Sequence, residues 1–299
     1  AALPWAVGVL GVVIGFSGLL RPAPRGEFDL GGFARLPASE GGRVKPMDSV
    51  ARNAVLIASG RRSVAKEGER APAVEAMLDL IARPGDAQAL PLVRVDHPDV
   101  LALLDRTPEQ AGRLSLAEIE PHWPKVLQQA QRAGEAAPKA RDPFQRAVLG
   151  LYEKVDRLLV LARMEAPYAV PPLAPGEEWR PFSEALLDSP LAAGLSPHAP
   201  EGAAPADPGG VHPGVAYTVA MMTAYSEGDP DRFNAAVAGY RAVLDRAMPG
   251  VMRRADLEVL FNRASPFMGA MAVYVLSFLL TCGALLLRLQ GVGDGAARG

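Results

Sequence analysis

The chain has 299 residues, 31 basic against 33 acidic side chains, a formal net charge of −2 and a single cysteine. That balance leaves no broad basic field and excludes nucleic acid as a partner class. One cysteine excludes an internal disulfide and a cysteine-built metal site.

In chain order, the first element is Leu3–Leu20, LPWAVGVLGVVIGFSGLL, which carries no charge and has Trp5 near one end, where an indole favours a membrane interface. Gly8, Gly11, Gly15 and Gly18 weaken it as a lone helix but would let a partner helix approach closely in lipid. A signal peptide is the rival reading. The stretch has no basic n-region, so a retained anchor over 3–20 is the expectation.

The long middle segment, residues 21–264, is expected to be one mostly helical body. Arg21–Glu40 is Gly- and Pro-rich and reads as an extended lead-out. In GGRVKPMDSVARNAVLIASGRR, residues 41–62, Pro46 suits a first helical turn, Asp48 favours the positive end of the dipole and Gly60 suits the stop. Met47, Val50, Ala54, Ile57 and Ala58 fall near one face, and Arg43, Lys45, Arg52, Arg61 and Arg62 make the surroundings basic. Two readings stay open here. The helix is a solvated rim lying near phosphate headgroups, or Arg43, Lys45 and Arg52 form a clamp for an anion or a partner.

Further on, Ala73–Arg83 reads as a short helix stopped by Pro84-Gly85, and Leu90–Val95 as one strand. His97-Pro98 opens a helix, Ser115 and Glu118 fit a capping box, and Asp142-Pro143 opens the longest amphipathic run, Phe144–Met164, read as the core helix. Glu165–Glu178 is proline-rich and extended, and Trp179–Leu187 is a brief helix. Residues 188–213 are so rich in proline and glycine that a flexible loop is expected. Helices resume over Val215–Ser226, from Asp229-Pro230 to Arg246, and over Arg253–Arg263, with no long internal repeat.

Ser265–Leu287, SPFMGAMAVYVLSFLLTCGALLL, is uncharged and bounded by Arg263 and Arg288. At about 1.5 Å per residue a helix of this length crosses a hydrocarbon core of about 30 Å. Residues 288–299 are then a short tail. The expected fold class is mainly α: a membrane protein with two transmembrane helices, 3–20 and 265–287, flanking a mostly helical extracytoplasmic domain with little β structure.

Catalytic groupings were sought and none was found: no phosphate-binding loop, GxSxG, HExxH or CxxC is present. The four histidines, His97, His122, His198 and His212, each lie within two residues of a proline, and no two share a helical face at i, i+4. Turn or surface roles suit them all. His97 and His122 are kept as the candidate haem ligands, and Trp123 beside His122 as a side chain able to pack on a flat ligand. No residue set argues for catalysis by this chain alone.

Several segments carry a family resemblance. They are GGRVKPMDSVARNAVLIASGR, VRVDHPDVLALL with GRLSLAEI, PGEEWRPFSEAL, AYSEGDPDRFNAAVAGYRAVL and LEVLFNRASPFMGAMAVYVLSFLL. In this order they resemble the anchored N-terminal part of system II cytochrome c biogenesis proteins of the fused ResB/CcsA type. The resemblance implies a bacterial inner-membrane protein whose large domain faces the periplasm. It implies a role in haem handling, with apocytochrome c and a haem-presenting CcsA-like membrane protein as partners. The haem-presenting half of that family carries a tryptophan-rich WWD motif, whereas this chain has only Trp5, Trp123 and Trp179, none clustered. The expectation is therefore a scaffold or partner subunit that meets haem through a partner. An accessory structural subunit of a respiratory or photosynthetic complex is the alternative, and a periplasmic hydrolase the remote third.

Overall fold

The computed structural model describes residues 26–66, 68–192 and 210–296. The expected first anchor, 3–20, lies outside the described residues, as does 193–209 of the proline-rich segment. Residues 26–256 form one compact unit, and residues from Leu257 onward belong to a second.

The first unit is mostly helical. It opens with α1 (Leu30–Ala34), whose N-cap Asp29 accepts the Gly32 N–H at 2.8 Å. Next come β1 (Pro37–Glu40) and β2 (Arg43–Pro46), an antiparallel hairpin that pairs Pro37 with Pro46 and Glu40 with Arg43. Both turn residues, Gly41 and Gly42, have positive φ (61° and 75°), the backbone of the two-residue turn that matches strand twist. β2 runs straight into α2 (Met47–Ser59), which Gly60 ends in the left-handed conformation, its N–H donating to Leu56 O at 2.8 Å.

The same plan then recurs. β3 (Ser63–Lys66) and β4 (Glu69–Pro72) form a second antiparallel hairpin, and Pro72 is the N-cap of α3 (Ala73–Ala82), as Pro46 is of α2. After α4 (Pro84–Ala87), β5 (Val93–Val95) leads into α5 (Pro98–Leu103) and pairs with β6 (Gly112–Leu114). α6 (Leu116–Ile119) starts at the expected capping box, with Ser115 Oγ accepting from Glu118 N and Glu118 Oε2 accepting from Ser115 N. α7 (Trp123–Glu135) and α8 (Pro143–Ala162) follow, the latter capped by Asp142 and Gln145. Then come α9 (Phe182–Leu187), α10 (Pro213–Glu227), α11 (Pro230–Ala247) and α12 (Pro249–Ala264).

Val148, Leu151, Val155, Leu158 and Leu161 of α8 are buried at the expected helical spacing. The more central helix is the shorter α3, which packs against α1, α2, α8 and α10 and buries Ala73, Val74, Ala76, Met77, Leu78 and Leu80 on several sides. α10 and α11 form the closest helix pair; Gly239 lets them meet, since a Cβ there would lie 2.7 Å from the Tyr217 ring.

Three expectations are corrected. Residues 26–40 hold a helix and a strand rather than an extended lead-out. The described residues contain three two-stranded sheets rather than one strand, and two of these are hairpins that form a short repeat with the helix that follows. Ile57 is 41% exposed, while Val55 takes the buried place beside Ala54. The hairpins escape periodicity because PASE, RVKP, SVAK and ERAP do not alternate apolar with polar residues.

In the second unit, α13 (Pro266–Ala296) follows Ser265, whose φ of 48° interrupts the helical run. Helix runs through Ala296. Among the described residues, Pro249–Gly283 is the one helical run long and apolar enough to cross a membrane, and none of its most apolar window is buried. Phe267, Tyr274, Phe278, Leu279 and Leu280 are each at least 59% exposed, so the apolar surface faces outward on all sides.

Candidate functional site

A hollow of about 420 Å³ in the first unit lies between α2 and α8. Val50, Ala54 and Ile57 come from α2, Val160 and Leu161 from α8, and Glu40, Glu153, Asp156 and Arg157 supply its charge. This is a face of the segment GGRVKPMDSVARNAVLIASGR. Glu40, at the end of β1, holds the hairpin to both sides: Lys45 Nζ donates to its Oε2 at 2.8 Å, and Arg157 Nη1 lies 3.8 Å from Oε1. The groove can receive an apolar side chain between acidic rims. It contains no nucleophile–base pair.

The three cations expected to form a clamp stand at the joint between the first hairpin and α2. Lys45 is matched by Glu40, and Arg52 Nε donates to both oxygens of the nearly buried Asp48 at 2.7 and 2.8 Å. Arg43 sits exposed at the hairpin end, opposite Glu40 in the strand register. These residues make a charge-balanced joint between hairpin and helix.

The two histidine candidates lie in separate places. His97 caps the start of α5 and lines a pocket of about 220 Å³ with Arg94, Asp96, Val100 and Lys154. Its Nδ1 is enclosed and has no hydrogen-bond partner; Asp99 stands 3.9 Å away. His122 is absent from that lining. Its Nδ1 is 3.4 Å from Asp105, which also draws Lys125 to 3.6 Å, while Trp123 stacks on Tyr152 at 5.8 Å rather than offering a free face. Pockets for drug-sized ligands begin near about 300 Å³ and are mainly apolar. At about 220 Å³, with Arg94, Asp96 and Lys154 in its lining beside Val95, Val100, Ala147 and Leu151, the His97 pocket is below that size. Among the described residues, no group of three His, Cys, Asp or Glu side chains is placed to hold a metal ion.

Sequence reasoning missed a buried polar cluster on α3. Asp79 is 1% exposed; its Oδ2 accepts from Lys66 Nζ at 2.6 Å and its Oδ1 from the Tyr225 hydroxyl at 2.9 Å. Lys66 also reaches Glu75 at 3.1 Å. Burial pulls the Lys66 ammonium down, but the hydrogen bonds and charges of Asp79 and Glu75 outweigh it and hold its pKa above the usual lysine value. Burial, with the Asp79 charge behind it, pushes the Tyr225 phenol well above its usual range. Arg83 lies over the Tyr225 ring at 4.4 Å and donates to the Tyr225 carbonyl. The signal for this cluster was Asp79 itself, a charge between Leu78 and Leu80 in a helix that is apolar but for Glu75 in its first turn. Lys154 carries the same signal, three residues after the buried Leu151 on α8.

Neither the models of known protein families nor the curated proteins contain a match to this chain.

Proposed function

We propose that this chain is a membrane-anchored scaffold or partner subunit of cytochrome c maturation. Its body would lie on the periplasmic side of a bacterial inner membrane and brace a haem-presenting, CcsA-like membrane protein or guide apocytochrome c. The observation that carries the anchoring is the outward-facing apolar surface of Pro266–Gly283, which water does not tolerate over such a length. The ordered set of segments from GGRVKPMDSVARNAV to LEVLFNRASPFMG supports the choice of pathway. The groove between α2 and α8 supports a binding role over a catalytic one, since its lining offers an apolar floor and acidic rims but no reacting pair. With the two apolar ends 3–20 and 265–287 in the bilayer, the middle segment is tethered twice on one side.

Purification of the full chain from its native membrane in mild detergent tests this reading. The expected result is co-purification with a haem-absorbing membrane protein or an apocytochrome bearing CxxCH sites. Recovery with respiratory or photosynthetic subunits and neither of those partners would support the accessory-subunit reading. Recovery from the aqueous fraction without detergent would overturn both.

A further inference from the structure

The β5–β6 register sets Arg94 directly opposite Arg113. Like charges facing each other across a ladder destabilise it. Arg113 Nε donates to the Ser59 carbonyl at 2.9 Å, and Arg94 reaches within 3.5 Å of where a Cβ on Gly60 would stand. Arg61 is the next residue, so three guanidinium-bearing side chains gather at the end of α2. The helix dipole there offsets part of this charge. Lys154 adds a fourth cation from α8, with its Nζ donating to the Arg94 carbonyl at 2.7 Å.

One carboxylate answers them: Asp96, 2.7 Å from Arg94 Nε. Among the described residues, Arg61, Arg113 and Lys154 have no carboxylate within ion-pair distance. Burial lowers the pKa of Lys154, with Arg94 adding to the effect against Asp96. Burial followed by the charges of Arg61 and Arg94 lowers that of Arg113. Beside them is the 220 Å³ pocket with the enclosed, unpartnered Nδ1 of His97. In the lining the Arg94 fork and the Lys154 point charge outnumber the Asp96 carboxylate, and Arg61 and Arg113 stand outside it; a hollow of that size with this charge suits a tetrahedral oxyanion rather than a flat ligand.

We propose that the pocket framed by Arg94, His97 and Lys154, with Arg113 and Arg61 beside it, binds a phosphate group, either free or on a lipid headgroup. This site is independent of the pathway proposed above.

The test uses the full chain in phosphatidylcholine nanodiscs, titrated with inorganic phosphate by calorimetry. Its thermal stability is also compared in nanodiscs with and without phosphatidic acid. Saturable phosphate binding, weakened at least about tenfold by K154M, R113Q and the cavity-filling H97F but not by R132Q, establishes a free-phosphate site. Silence toward free phosphate, with a phosphatidic-acid-dependent rise in melting temperature that those three variants lose and R132Q keeps, establishes a headgroup site. Circular dichroism confirms that each variant is folded, and the His97→Phe change, which removes no arginine or lysine, keeps the test open should one of those variants fail to fold. No response to either ligand, or equal loss in R132Q, overturns the proposal.

Discussion

The two hairpin–helix units, β1–β2–α2 and β3–β4–α3, share a plan and use their charges in opposite ways. Each hairpin ends in a proline that caps the next helix. In the first unit the acid, Asp48, sits in the opening turn and meets Arg52 four residues on, and Lys45 meets Glu40 within the hairpin. In the second, the acid is Asp79, two turns into the helix and 1% exposed, and it binds Lys66 from the hairpin and Tyr225 from a helix 146 residues away. Local pairs, with their arginine or lysine partly exposed, set the geometry of a joint. A buried pair shared by three elements fixes where those elements stand. The first helix is thereby left to line an open groove, while the second is locked at the centre.

The largest test of that contrast is Asp79→Ala. It leaves the buried Tyr225 hydroxyl without its acceptor and Lys66 with Glu75 alone, and the loss of one partner from a buried pair costs about 3–5 kcal/mol. Chemical denaturation of the full chain in detergent should show a fall of that order. A loss below about 1 kcal/mol would mean that water reaches the cluster and that the two units are alike after all. Tyr225→Phe removes one donor and keeps the ring beneath Arg83, so about 1–3 kcal/mol is expected for the under-satisfied carboxylate. The matching change in the first unit, Arg52→Gln, breaks a pair whose arginine side chain is 35% exposed, and should cost no more than about 1 kcal/mol. Equal losses from Arg52→Gln and Tyr225→Phe would erase the distinction.

The sequence exposed one kind of information well. Helices with strong punctuation were legible: Asp142-Pro143, Ser115 with Glu118, Asp229-Pro230 and Gly60 all stand at the expected ends, because capping is satisfied by neighbours in sequence. The hairpins were not, since their strands are short and half-polar and their pairing depends on the Gly41-Gly42 turn and on Leu36 accepting from Met47 N across it. The candidate cations at 43, 45 and 52 were chosen for charge alone. Glu40, which neutralises Lys45, lay in a stretch read as a lead-out, and so its role was invisible. The Arg94–Arg113 pairing needed the register of two strands separated by a helix. A charge placed on an apolar stripe was the one usable clue to the buried chemistry, at Asp79 and at Lys154.

The smallest effect concerns the helix that delivers Tyr225 to Asp79. α10 begins at His212, whose Nδ1 accepts the Gly214 N–H at 3.0 Å, and which can accept only while that nitrogen is unprotonated. Burial lowers the pKa of His212 below its ordinary 6.5, with Arg180 adding to it and Glu177, 3.9 Å away, opposing. The unfolded chain then binds its proton at higher pH than the folded one, so stability rises with pH between the folded value and about 6.5. The contribution is complete above about pH 6.5 and shrinks as acid is added below it. Asn at 212 can keep the cap without titrating. Denaturation midpoints of the wild type and H212N should therefore run parallel above pH 7 and separate below 6.5, with the wild type losing more. Groups away from His212 that titrate on acidification, such as Glu118, are common to both proteins and cancel in the difference. Parallel curves down to pH 5 would show that the cap is not set by this imidazole. The same measurement on Arg52→Gln should leave the His212 step untouched, because α2 is held by its own hairpin and does not depend on where α10 starts.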